Sequence, residues 1–294
     1  MSYPKKKLPK KEKNEIVGGT LYLVATPVGN LSDISERALK VLSEVDFIAA
    51  EDTRNTGVML SRFGISKSMV SYFEHNKRER GEMIAERLER GESCALVTDA
   101  GTPAISDPGE DLVCLCAERG IPVTSIPGAC AAICALTLSA LPTGRFTFEG
   151  FIGTPKNERR ERLSELAEEK RTIIIYEAPH RLRGTLADLL NYFGERKISL
   201  CREITKLNEE VMRTTISDAI KYYENAVPRG EYVLVVEGKK EIQSFDYPED
   251  ITEHVNSLIK SGLDRMEAMK KAARERGITK SEVYKSYVSH ADES

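Results

Sequence analysis

The chain has 294 residues, with 43 Lys and Arg against 46 Asp and Glu, a formal net charge of −3, 40% hydrophobic residues, 12 Pro and no Trp. This length and composition exclude a stapled mini-protein and a wholly disordered chain. The near-balanced charge excludes a protein dominated by basic surface, so any nucleic-acid contact must be local.

The first 19 residues are rich in lysine, carry Pro4 and Pro9 and show no apolar period, which predicts a disordered basic tail. No apolar run approaches the roughly 20 residues that cross a bilayer, and the lysine-rich start lacks the apolar segment of a secretory signal, so a cytoplasmic location is expected. From Thr20 onward, short β-branched runs alternate with amphipathic stretches. Strands are predicted at 21–25, 47–50, 95–98 and 123–126, with helices at 35–43, 82–90 and 110–119 between them. Such alternation implies an α/β fold with a mostly parallel sheet. Asp33 with Glu36 three residues on marks a helix start.

After the Pro127-Gly128 turn a second series follows, with strands at 146–151, 172–176, 198–202, 211–216 and 232–237 and helices at 157–170 and 181–193. The closer spacing of the later strands suggests antiparallel pairing. Beyond Gly238 the pattern turns to charged helices at 251–259, 264–276 and 279–288, with Thr279 and Glu282 forming a capping box and Gly277 a C-cap. The expected organisation is a tail over 1–19, an N-terminal α/β domain over 20–128, a C-terminal α/β domain over 129–240 and a helical extension over 245–290. The six cysteines (Cys94, Cys114, Cys116, Cys130, Cys134 and Cys201) lie in apolar stretches with no His at zinc-ligand spacing. Buried free thiols are expected, with no metal and no disulfide framework.

No phosphate loop, dinucleotide fingerprint, zinc-protease helix or esterase elbow is present. Instead, strand ends carry Pro- and Gly-rich turns: Thr26-Pro27-Val28-Gly29-Asn30, Thr98-Asp99-Ala100-Gly101-Thr102-Pro103, Ile105-Ser106-Asp107-Pro108-Gly109 and Ile126-Pro127-Gly128-Ala129. Ligands of parallel α/β sheets bind beyond the carboxyl ends of the strands. Glycine lets backbone approach a ligand there and proline presets the loop. Polar turns also follow three other strands, at Glu51-Asp52-Thr53-Arg54, Glu177-Ala178-Pro179-His180-Arg181 and Arg202-Glu203-Ile204-Thr205-Lys206. If residues 50–52 stay extended, the adjacent Glu51 and Asp52 face opposite ways, so at most one enters a given cleft.

In order along the chain stand LYLVATPVGNLSDIS, AAEDTRNT, LVTDAGTPAISDPG, IPGACA, FEGFIG, IIYEAPHR, CREITK and GEYVLVVEG. With these motifs the sequence resembles the tetrapyrrole methylase superfamily over about residues 20–238, and within it the branch of small-subunit ribosomal RNA cytidine 2′-O-methyltransferases. It departs from the pattern at Asn208, where that branch leads one to expect histidine. The resemblance implies a two-domain tetrapyrrole-methylase-like fold with a cofactor cleft between the domains, S-adenosylmethionine as cofactor and a homodimer. It implies that Pro27, Asp99, Ala100, Gly101, Thr102, Ile105, Gly128, Ala129, Ala178, Gly230 and Glu231 bind the cofactor. The implied reaction is 2′-O-methylation of a cytidine ribose in 16S ribosomal RNA at the decoding centre, with ribosomal RNA or the small subunit as partner. The alternatives are a tetrapyrrole methyltransferase of the precorrin or uroporphyrinogen type and a non-catalytic RNA-binding assembly factor.

A ribose hydroxyl needs its proton accepted, and Glu51, Asp52, Glu177, His180, Glu203 and Lys206 are the available groups in the matching motifs. Sequence does not choose among them. The expected catalytic set is Glu177, His180 and Lys206, with Glu177 or His180 handling the proton. Arg54, Arg181 and the local basic patches Arg159-Arg160 and Lys270-Lys271-Arg274 are expected to hold RNA, although interleaved acids also fit solvated helix faces.

Overall fold

The computed structural model describes residues 15–240 and 247–291, with side chains described as far as 287. The expected basic tail lies outside the described residues up to position 14. The chain divides into two compact units that meet at Lys239 and Lys240.

In the first unit, one sheet joins β1 (Leu21–Val24), β2 (Phe47–Ala50), β3 (Met69–Ser71), β4 (Cys94–Val97) and β5 (Val123–Ile126), all parallel, in the order β3-β2-β4-β1-β5. Alternation along these strands separates two apolar faces. Leu21, Phe47, Ala49, Cys94 and Leu96 pack on α3 (Lys77–Glu89) and α4 (Gly109–Glu118). Tyr22, Val24, Ile48, Ala50, Ala95 and Val97 pack on α1 (Glu36–Glu44) and on Leu60 of α2 (Thr53–Arg62). Covering both faces with helices buries the central strands β2 and β4 completely, which is why they read as short continuous apolar runs. Because all five are parallel, their carboxyl ends share one edge.

The second sheet has the order β6-β7-β10-β8-β9, built from β6 (Phe146–Phe151), β7 (Thr172–Glu177), β8 (Lys197–Arg202), β9 (Glu210–Thr215) and β10 (Tyr232–Val236). β6 and β7 are parallel, whereas β10 runs antiparallel to both β7 and β8, and β9 antiparallel to β8. The exits of β6, β7 and β8 and the entry of β10 therefore meet on one edge, where Tyr232 pairs with both Glu177 and Arg202. One face packs on α6 (Lys156–Ala167), α7 (Leu182–Phe193) and α8 (Ile216–Asn225). The other packs on the apolar α5 (Ala131–Leu138) and on Val28 from the turn after β1.

The second unit is a separate helical body of α9 (Ile251–Lys260), α10 (Arg265–Arg276) and α11 (Lys280–Ala291) around Val255, Leu258, Met269, Ala272 and Val283. Gly277 ends α10 at φ 66°, and the Thr279 hydroxyl and Glu282 carboxylate exchange hydrogen bonds with each other's backbone N–H groups as the capping box requires. Among the described residues no helix is long and apolar enough to cross a membrane.

Two expectations need correction. The cap of α1 is Ser35, whose hydroxyl accepts the Ala38 N–H, and Asp33 belongs to a short 3-10 turn instead. Cys94, Cys116 and Cys201 are buried, but Cys114 is exposed on α4 and Cys130 and Cys134 are half-buried. Glu51 and Asp52 point apart: Glu51 lines the cleft, whereas the Asp52 carboxylate turns back to cap α2 on the Arg54 N–H.

Candidate functional site

The two shared edges enclose a cleft of about 700 Å³. Its N-terminal wall is made of strand-end turns tied to one another. Thr26 and Gly101 exchange backbone hydrogen bonds of 2.9 and 3.0 Å, and Thr102 Oγ1 donates to the Ala129 carbonyl at 2.9 Å. Asp107 accepts from the N–H groups of Ala104, Ile105 and Gly109 at 3.0, 3.2 and 2.7 Å, folding the turn back on itself. Inside that turn Ala104 and Ser106 hold φ values of 65° and 64°, and across the cleft Glu203 and Thr205 hold 51° and 64°. Left-handed backbone at non-glycine residues is costly, and it gathers at sites whose loop shape matters.

The C-terminal wall is built from carboxylates. Glu177, 2% exposed, receives the Thr185 hydroxyl and the Ala178 N–H at 2.8 Å, with the Arg181 guanidinium 3.4 Å away. Lys206 Nζ stands 2.9 Å from both Glu203 and Glu231. Burial works against the charge on Lys206, but the two carboxylates outweigh it and hold the ammonium above the ordinary lysine value. The same contact, led by the Lys206 hydrogen bond, lowers Glu203.

Glu74, Asp99, Asp107, Glu177, Glu203 and Glu231 all line the cleft, and each is already engaged: Glu74 with Lys77, Asp99 with the Asn55 amide, the others as above. Glu51 is the exception. It also lines the cleft, and among the described residues its carboxylate has no side-chain partner. Desolvation raises its carboxyl above the usual value, with the charges of Asp99, Asp107 and Asp52 adding in the same direction.

Of the residues singled out in the sequence, Asp99, Ala100, Gly101, Thr102, Ile105, Ala178, Glu231, Glu177 and Lys206 come together as cleft lining. Pro27, Gly128, Ala129 and Gly230 belong to the turns behind that surface, with Gly128 packed on Ala25 and Gly230, at φ 76°, on Glu203. His180 is exposed and lies outside the lining. Arg54 is exposed and paired with Asp52 at 2.6 Å, which holds that carboxyl down to about 2. Arg159 is bound to Asp188 and Thr185 and Arg181 to Glu177 and the Ile152 carbonyl, so both guanidiniums hold internal structure. Arg160, Lys270 and Arg274 are exposed, and Lys271 is half-buried, 3.9 Å from Glu275. Val28, from the first of the quoted turns, also lines the cleft, as do Phe151, Tyr176 and Tyr232, to which no role was assigned from the sequence. Their apolar character at strand ends reads as core when no partner strand is known.

Two sheets whose strand ends face a shared acidic cleft define an α/β ligand-binding enzyme architecture. The model of the Tetrapyrrole (Corrin/Porphyrin) Methylases matches residues 20–220, and the chain belongs to that family. It is 46% identical over 269 residues to "Ribosomal RNA small subunit methyltransferase I" of Synechocystis sp., covering 90% of this chain and 96% of that protein. It is 44% identical to the Bacillus subtilis protein of the same name, over 92% of this chain and 94% of that one. Among solved structures, uroporphyrin-III-C-methyltransferase from Thermus thermophilus matches with a TM-score of 0.55 at 20% identity, covering 74% of this chain and 94% of that one. Diphthine synthase matches with a TM-score of 0.56 at 17% identity, covering 75% and 90%. These structural likenesses concern the fold.

Proposed function

We propose that this chain methylates the ribose 2′-oxygen of a cytidine in 16S ribosomal RNA, at the decoding centre, using S-adenosylmethionine. One observation carries the proposal: an acidic cleft between facing strand ends, in a chain 46% identical to a protein named for methylation of small-subunit ribosomal RNA.

The cofactor, when bound, supplies an activated methyl group on a positively charged sulfur. The lining suits it. A cleft of about 700 Å³ falls in the size range of cofactor sites, and seven carboxylates against Lys206 favour a cation. Asp99, Ala100, Gly101, Thr102, Ile105, Ala178 and Glu231 would hold it directly. Pro27, Gly128, Ala129 and Gly230 would fix the turns that do so.

Methyl transfer asks the protein to align the acceptor oxygen and take its proton. We assign the proton to Glu51. Glu177 is saturated with donors and Lys206 is kept protonated, so both serve to shape the C-terminal wall, whereas Glu51 has a raised pKa and open lone pairs. His180 would contribute only at the rim. The acidic lining repels phosphates and admits a neutral ribose and base. Backbone phosphates would then be held outside the cleft by Arg54 and Arg160 of the first unit, while Lys270, Lys271 and Arg274 give the helical unit a basic patch of its own for RNA. The proposal also includes a cytoplasmic homodimer, with 20–128 and 129–240 as its two α/β domains.

The test is transfer of tritium from labelled S-adenosylmethionine to small subunits, followed by nuclease digestion. Label in 2′-O-methylcytidine is the expected result. Label in a tetrapyrrole acceptor, or none in RNA, contradicts the proposal.

A further inference from the structure

Phe151, the last residue of β6, lines the cleft and is 55% exposed, and the chemistry above leaves it idle. An exposed phenyl ring in a ligand cleft forfeits burial that an occupant would restore. Its direction is set by a break in the strand. The pairing of β6 with β7 shifts between Phe148 and Gly150, so that Phe148 faces Ile174, Gly150 faces Ile175 and Phe151 faces Tyr176. In a regular strand, residues three apart point to opposite faces. Here the extra residue brings both Phe148 and Phe151 onto the ring of Tyr176, with centroids 5.1 and 5.6 Å away.

The break is pinned on three sides. Gly150 adopts φ 57°, and a Cβ there would fall 2.5 Å from Ser106 Oγ of the opposite wall. The carboxylate of Glu149, the residue left over by the shift, accepts from Thr147 Oγ1 at 2.8 Å and from Arg162 Nε at 2.8 Å. A bulge fixed this firmly presents one ring in one place.

We infer that Phe151 is the stacking platform for the base of the nucleotide being methylated. The inference deepens the RNA-methylation proposal and rests on it. A nucleotide whose ribose reaches a cleft must leave its helical stack, and its base then needs a new π-face. Carboxylates on the walls exclude phosphate from this position, leaving the uncharged base as the part that fits.

The test compares Phe151→Ala, Phe151→Leu and Phe151→Tyr in the full chain, reading methyl transfer to small-subunit RNA, calorimetric binding of S-adenosylmethionine and the melting temperature. Expected are losses of about 10- to 100-fold in kcat/KM for RNA in the Ala and Leu variants, near wild-type activity with Tyr, and unchanged cofactor affinity and melting temperature throughout. Full activity in Phe151→Leu overturns stacking, and loss of cofactor affinity in Phe151→Ala assigns the ring to the cofactor instead. Absence of RNA methylation by the wild-type chain would defeat the underlying proposal, and this one with it.

Discussion

Gly29 and Lys206 meet where the turn after β1 touches the turn after β8: a Cβ on Gly29 would fall 2.3 Å from Lys206 Cγ and 3.1 Å from the Ile204 carbonyl. The absence of a side chain at one position is thus what lets the ammonium at the other reach Glu203 and Glu231, both at 2.9 Å. Gly29→Ala is expected to cost about 1–3 kcal/mol by overpacking. Lys206→Ala removes the atom it would strike, so the double variant should recover part of the loss, with a coupling of about 1 kcal/mol or more in denaturant melts.

Glu51→Gln should lower methyl transfer by about 10²- to 10⁴-fold while S-adenosylmethionine still binds. A base must be ionised, so wild-type activity should fall as pH drops through the raised Glu51 pKa, at higher pH than an unperturbed glutamate would show. Stability has the opposite sense. A carboxyl whose pKa is raised on folding contributes stability that is present below its unfolded pKa and lost as pH rises through the folded one. Glu51→Gln is therefore expected to melt higher than wild type at neutral pH, with the difference vanishing in acid. Equal pH–rate profiles for wild type and variant would count against the assignment.

Thr185 donates to the buried Glu177 carboxylate. Thr185→Val keeps the shape and removes the donor, at an expected cost of about 1–3 kcal/mol in chemical denaturation. Thr185→Ser, which keeps the hydroxyl, should cost less. Equal losses would mean that the methyl group, not the hydrogen bond, matters.

If Arg160, Lys270 and Arg274 contact phosphate, replacing each with Gln should weaken RNA binding at every sequence and flatten the slope of log K against log salt by roughly 0.7–0.9 per contact. Arg159→Gln, which breaks the bond to Asp188, should instead lower the melting temperature. An unchanged slope would place the RNA elsewhere.

Nine strands were legible from β-branched and apolar runs, most plainly β2, β4 and β10, in which every residue is buried. β3 was not: its three residues are half-buried at a sheet edge, too few to show a period. α2 buries only Thr56 and Leu60, and α5 is apolar all round, so neither shows the stripe that marks a helix. The start of α3 was missed because Lys77 to Arg80 offer no apolar residue to phase. At the site, the Pro- and Gly-rich turns announced where the cleft would lie. The partners of each carboxylate were hidden, since Glu177 is satisfied by Thr185 on the next helix and Lys206 by Glu231 in the loop before β10. The strand break that turns Phe151 toward Tyr176 is marked in the sequence by Gly150 alone, a glycine inside a strand pattern.

Calorimetric titration of wild type against Ala100→Trp tests most directly whether the cleft between the two strand edges holds S-adenosylmethionine. Ala100 is exposed in the cleft lining, so an indole there is expected to occupy cofactor space and leave the core intact. One cofactor per chain in the wild type, with affinity reduced at least about 100-fold in a folded variant, is the expected result. Unchanged affinity in Ala100→Trp would contradict the account.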